Sequence, residues 1–269
     1  MTTLFVLGSG SRGNCCAVES EGEAVLIDVG FSAKEVERRA TAAGLALDRV
    51  TAIVLTHEHG DHACGAARLA RRLGVPVVTA PGTWERLSRR MGDAAHHPLG
   101  LCTRVRVGPF TVDACPTSHD AAEPLAVVVR SGDGVSVGVA YDLGRPTAGV
   151  RYLLRDLTAL VLEANHDEVE LRVSGYPPVV QRRIAGSGGH LSNRAAGELL
   201  AELFHPGLGA VVLAHLSQRC NSAAHVLASV VPHLRRAGYH GALHVALQDQ
   251  PLPPITLAPR SEVQFRLAF

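Results

Sequence analysis

Residues 55–62 read LTHEHGDH, directly after the apolar run Ala52-Ile53-Val54. Imidazole and carboxylate are the groups that bind zinc, manganese or iron and that move protons near neutral pH. His57 and His59 lie two residues apart, so an extended segment points both to one side. Asp61 and His62 follow where the chain turns toward a helix. Four such donors, joined by others from elsewhere, are more than one ion readily takes; two neighbouring ions can use them. The other donors end other apolar runs. His119 closes FTVDACPTSH, Asp142 closes VSVGVAYD, Glu163, His166 and Asp167 close TALVLEANHD, and His215 closes AVVLAH. One histidine at a strand end is usually structural. Donors at five strand ends together point to one rim of an α/β sheet, where ligands bind.

The elements that must position these donors are legible as short apolar runs alternating with amphipathic segments. TLFVLG reads as a strand entering the glycine-rich loop GSGSRGN, and AVLIDVG as a second strand. SAKEVERRATAAG reads as a helix with Ser32 as N-cap, Glu35 three residues on and Gly44 as stop. VTAIVLTH is a buried strand, ACGAARLARRLG a helix, VPVVTA a strand, and TWERLSRRMG a helix capped by Thr83. TRVRVGPFTVDACP alternates with period two around Gly108-Pro109, and PLAVVVRSGDGVSVGVAYD reads as a hairpin. LTALVLE, LGAVVLAH and GALHVALQ are strands, and LSNRAAGELLAELF and SAAHVLASVVPHLRRAG are helices. The pattern predicts a layered α/β sandwich, read as one domain over 1–269.

Composition narrows the class. Hydrophobic residues make up 46% and charged residues 19%, which excludes a disordered chain. The net charge of +1 carries no bulk signature of a nucleic-acid binder, although local patches or bound cations can supply a positive field. No stretch reaches the roughly 20 apolar residues of a membrane span, and the N-terminus lacks a basic, long apolar leader. We expect a cytoplasmic protein. Its six cysteines, Cys15, Cys16, Cys64, Cys102, Cys115 and Cys220, are expected as free thiols acting as small buried hydrophobes.

THEHGDH matches the H-x-H-x-D-H motif of the metallo-β-lactamase superfamily. With TSHD, YDLG, LEANHD, GHLSN and AHLSQRCN, the chain resembles its YycJ/WalJ-like (VicX) branch of bacterial metallohydrolases, described as DNA exonucleases. The resemblance spans residues 8–249, nearly the whole chain. It implies a four-layer αββα sandwich and two divalent ions, zinc or manganese with iron also compatible. His57, His59 and His119 would hold one ion, Asp61, His62 and His215 the other, and Asp142 would bridge. Asp61 would also be essential to catalysis, along with Glu163 and His190, the pair that relays a proton to the leaving group in related phosphodiesterases. A hydroxide shared by the ions would attack the phosphodiester, since zinc brings bound water to a pKa of about 7. The branch usually has Thr-Asp-Thr-Gly where this chain has Tyr141-Asp142-Leu143-Gly144.

DNA is the expected substrate, cut from 5′ to 3′ by the resemblance. His166, Asn14, Arg182 and Arg183 are expected to contact it. Asn14 ends the glycine loop, whose N–H groups can meet a phosphate or simply form a tight turn. The alternative is a small-molecule metallohydrolase acting on a phosphodiester, cyclic nucleotide, thioester or lactone.

Overall fold

A computed structural model of the chain describes residues 1–101 and 103–259; Cys102 lies outside them. The strands are numbered along the chain. β1 (Thr2–Gly8), β2 (Cys15–Ser20), β3 (Glu23–Ile27), β4 (Val50–Val54), β5 (Val77–Thr79), β6 (His96–Pro98) and the late β14 (Ile255–Leu257) make one sheet, in order 14-1-2-3-4-5-6. β7 (Arg104–Val107), β8 (Phe110–Pro116), β9 (Leu125–Arg130), β10 (Ser136–Ala140), β11 (Ala159–Glu163), β12 (Ala210–Ala214) and β13 (Ala242–Val245) make the other, in order 13-12-11-10-9-8-7.

Side-chain alternation explains the layers. In β1, Leu4 and Val6 face inward and meet Val112, Val127, Val139 and Val161 of the second sheet. Phe5 and Leu7 face the other way, onto α1 (Ala33–Ala43) and α3 (Ala66–Leu73) through Val36, Ala40 and Leu69, with α4 (Pro81–Met91) adding Leu87 and Met91. On the far side, Val128, Leu160, Leu162 and Leu213 pack on α5 (Ala148–Leu153), α8 (Asn193–Leu203) and α9 (Ala223–Ala237). Two sheets with a helical layer outside each give the αββα sandwich. Each fully buried valine or leucine contributes roughly 1.5–3 kcal/mol, so both faces of each sheet hold it in place.

α1 has the expected caps: Glu35 N donates to Ser32 Oγ, and Gly44 takes the left-handed conformation. α4 starts earlier than read from sequence. Pro81 occupies its first turn with Ala80 as N-cap, so Thr83 is inside the helix, its hydroxyl bonded to the Glu123 carbonyl. None of the described cysteines is in a disulfide, and all but Cys64 are buried. No described helix is long and apolar enough to cross a membrane.

Strand direction places the site. β3, β4 and β5 run parallel, as do β10, β11, β12 and β13, and β8 runs with β10 because both are antiparallel to β9. The C-terminal ends of β8, β10, β11 and β12 therefore reach one edge of the second sheet.

Candidate metal centre

After β4 the chain extends through Leu55 and Thr56 to His57, then starts the one-turn helix α2 (Gly60–Ala63) with His59 at its N-cap. Asp61 and His62 thus sit on a helical turn rather than on the extended stretch that carries His57. His57, His59 and His119 bring ligand-type atoms within 4.8 Å of one another, as do Asp61, His62 and His215, and again His57, His62 and Asp142. Asp142 is central: its Oδ2 lies 2.9 Å from His62 Nε2 and 3.5 Å from His57 Nε2, while its Oδ1 lies 3.4 Å from His215 Nδ1.

The donor set fits divalent cations. Asp142 is 2% exposed, and the near neighbours of its Oδ2 are the Nε2 atoms of His62 and His57. A buried carboxylate ringed by imidazoles needs either protons on those rings or a cation to balance its charge. Imidazoles and carboxylates without thiolate suit zinc, manganese and iron. In the absence of a cation, protons compensate the carboxylates. Burial alone would lower the His215 pKa, but Asp142, Asp61 and Glu163 outweigh it and push it up to about 9. His62 is likewise raised against its burial, by Asp28 and Asp142. Asp61 is held well below the usual carboxylate range because hydrogen bonds from His215 and His62 overcome its burial. A cation entering these donors must displace the protons, so its affinity rises with pH.

A model of the metallo-β-lactamase superfamily matches residues 8–138. Exodeoxyribonuclease YycJ of Bacillus anthracis is 31% identical over 237 residues, 87% of this chain and 89% of that protein. The chain belongs to the metallo-β-lactamase superfamily, in its YycJ/WalJ branch. Exodeoxyribonuclease WalJ of Streptococcus pneumoniae serotype 2 is 26% identical over 263 residues, 96% of this chain and 97% of that one. Among solved structures, the metallo-β-lactamase fold protein YhfI from Bacillus subtilis superposes with a TM-score of 0.70 at 16% identity, covering 93% of this chain and 98% of that one. Membership and the donor cluster make this metallo-β-lactamase member a metal-dependent hydrolase that takes divalent cations.

Three of the described non-glycine residues with left-handed backbone lie at this centre: Asp28 (φ 58°), Asp142 (φ 51°) and His215 (φ 55°). That conformation is uncommon for side-chain-bearing residues and gathers at functional sites. Here it turns each side chain at the end of an apolar run toward the shared centre.

Asp28 was not among the residues singled out from sequence. It is fully buried, accepts from Thr56 N at 2.8 Å and from Thr56 Oγ1 at 2.9 Å, and takes the His62 Nδ1–H bond at 2.7 Å. It fixes the ring so that Nε2 faces Asp142. The signal was present in LIDVG, an acidic residue ending an apolar run as Asp142 does. Asp28→Asn keeps the shape but places an amide against Nδ1. We expect metal affinity and activity to fall about 10- to 100-fold, read by competition with a metal-binding dye; unchanged affinity would remove Asp28 from this role.

The other expected site residues divide by burial. Glu163 is fully buried and saturated. Its Oε1 accepts from His190 Nδ1 at 2.8 Å and His215 Nδ1 at 2.9 Å, and its Oε2 from the N–H groups of Leu143 and Leu191. It positions two histidines and the backbone beside Asp142, and it has no face left for substrate. Asn14 is also fully buried. Its Oδ1 accepts from Ser9 Oγ and Gly10 N, and its Nδ2 reaches the Asp61 carbonyl. It braces the glycine loop against the H-x-H-x-D-H turn, with Nδ2 also 3.2 Å from His62 Nε2. Arg183 is exposed, with Nε donating to Asp120 Oδ2 beside His119. Arg182 and His166 line a separate cavity. Tyr141, standing where the branch has threonine, is buried with its ring 5.7 Å from that of His62.

Proposed function

We infer that the chain is a metal-dependent DNA exonuclease that removes nucleotides from a 5′ end. The observation that carries this reading is the meeting of two three-donor sets at Asp142, in a chain whose relatives over most of its length are exodeoxyribonucleases. His57, His59 and His119 would hold one ion, Asp61, His62 and His215 a second, with Asp142 shared and zinc or manganese the best-suited metals. When bound, such ions activate water and neutralise charge growing on the phosphoryl group.

The chain's own residues orient the leaving group and supply its proton. His190 is fixed through Nδ1 by Glu163 at 2.8 Å and Asp142 at 3.0 Å, and 23% of its side chain is exposed. Burial would lower its pKa, but in the metal-free chain Glu163 and Asp142 raise it to about 10, and the Glu163 hydrogen bond holds the ring as a proton donor. In hydrolysis the water oxygen forms a bond to phosphorus and the ester P–O3′ bond breaks. The proton on His190 goes to O3′, and the proton the attacking water loses passes to solvent and restores the ring. Glu163 acts through His190 as its positioning residue.

The test is cleavage of 5′-labelled single- and double-stranded DNA by manganese- or zinc-loaded protein. We expect mononucleotide release that stops on chelation and returns with added metal. Cleavage indifferent to chelation would sink the reading. Turnover of a chromogenic small phosphodiester with no turnover of DNA would replace it by a small-molecule hydrolase.

A further inference from the structure

A cavity of about 290 Å³ opens between α6 (Glu168–Val173) and α7 (Pro178–Ala185), lined by His166, Leu171, Arg172, Gln181 and Arg182, and by Glu168, whose carboxylate is held by Ser192 and Arg194. Its inner wall is unusual. His166 is only 2% exposed, and its buried Nδ1 has no hydrogen-bond partner. Such an atom costs about 1–3 kcal/mol, and neither fold nor metal centre accounts for it. The apolar part of its lining is Leu171 and Ala185, and α7 buries none of its residues. The guanidinium groups of Arg172 and Arg182 have no carboxylate partner among the described residues, whereas the neighbouring Arg183 does.

The cavity backs onto the proton donor's segment. His166 pairs with Ser192 as an isolated bridge, and Asn193 N donates to the His166 carbonyl. His190 stands two residues before Ser192. On the nuclease reading, the group that leaves His190 with a proton is the sugar oxygen of the departing nucleotide, so that nucleotide belongs on this side.

We propose that this cavity holds the terminal nucleotide of the strand being cut, with Arg172 and Arg182 on its 5′-phosphate and His166 and Leu171 on its base. The inference rests on the exonuclease reading and adds to it a preference for phosphorylated ends. A nucleotide joins a flat heterocycle with polar edges to a multiply charged anion. A buried unpaired imidazole, the apolar Leu171 and Ala185, and two guanidinium groups without a carboxylate partner among the described residues match those parts. The volume suits one nucleotide and not a base pair.

The experiment is calorimetric titration of the full, metal-loaded chain with thymidine 5′-monophosphate, and in parallel with inorganic phosphate. We expect saturable nucleotide binding that weakens at least about tenfold in R172E/R182E and about threefold or more in H166A. Inorganic phosphate that seats on the metal centre should bind alike in all, and any second, weaker phosphate site should disappear in R172E/R182E. Both arginines are exposed, so their reversal leaves folding intact even if H166A does not fold; thermal melting checks each variant. Equal nucleotide affinity in the wild type and R172E/R182E, with DNA still cleaved by the wild type, overturns the pocket and spares the nuclease reading. A metal-loaded wild type that cleaves no DNA overturns both.

Discussion

Asp61→Ala is expected to lower kcat/KM on DNA by at least about a thousandfold, on the order of 4 kcal/mol of transition-state stabilisation, while the fold persists. Asp61 is the one carboxylate in the Asp61, His62 and His215 set. Its Oδ2 lies 3.4 Å from His215 Nε2 and 3.5 Å from His62 Nε2. Without it, a cation entering between the two imidazoles has only the shared Asp142 left to balance its charge. The fold survives because Asp61 serves it through the main chain: the Asn14 N–H donates to the Asp61 carbonyl at 2.8 Å, and alanine keeps that bond. Asp61→Asn, with an oxygen donor but no charge, should fall between wild type and alanine. Metal content by mass spectrometry should drop by one equivalent, with the melting temperature of the metal-free protein little changed. Activity within tenfold of wild type, at reduced metal content, would remove Asp61 from the reaction.

The resemblance and the strand-end pattern made most of this centre readable in advance, because ligand-type residues follow apolar runs and strand direction carries them to one edge. His57, His119, Asp142, Glu163 and His215 all follow that logic, and the structure gathers them. The same logic did not separate residues that would touch substrate from residues that hold others in place. Glu163 and Asn14 look alike in sequence to His190 and Arg182. Their full burial and filled hydrogen bonds set them apart from the partly exposed His190 and the exposed Arg182. Other elements escaped for physical reasons. β2 begins directly after the glycine loop at Cys15-Cys16, so the reading passed over it as loop. α6 and α7 are short, and α7 has no buried face to leave a period of apolar residues. The cavity between them could not be read from spacing, because its floor, His166, belongs to the loop after β11.

Gly30→Ala is expected to cost more than about 3 kcal/mol and to strip the metal centre, although Gly30 lies outside every motif. A Cβ there would stand 1.7 Å from the Asp61 carbonyl oxygen and 2.6 Å from Asn14 N. Overpacking typically costs 1–3 kcal/mol when side chains can yield, but here the obstacle is backbone. That backbone is laced on both sides: Gly30 N donates to the Asn14 carbonyl, Asn14 N to the Asp61 carbonyl, and Val29 N to the His62 carbonyl. Any shift that admits the methyl group must move Asp61 and His62 together. The melting temperature should fall by roughly 10 °C or more, with metal content reduced in whatever protein folds. Gly60 supplies the contrast. It sits inside the H-x-H-x-D-H motif, between His59 and Asp61, yet a Cβ there meets nothing within 4 Å. Gly60→Ala lies on the one-turn helix α2, where alanine is favoured over glycine by about 0.5–1 kcal/mol, so stability should hold or rise. The two variants thus reverse the order that motif membership suggests. A Gly30→Ala protein melting within 2 °C or so of wild type would show that the contact is relieved without moving the centre.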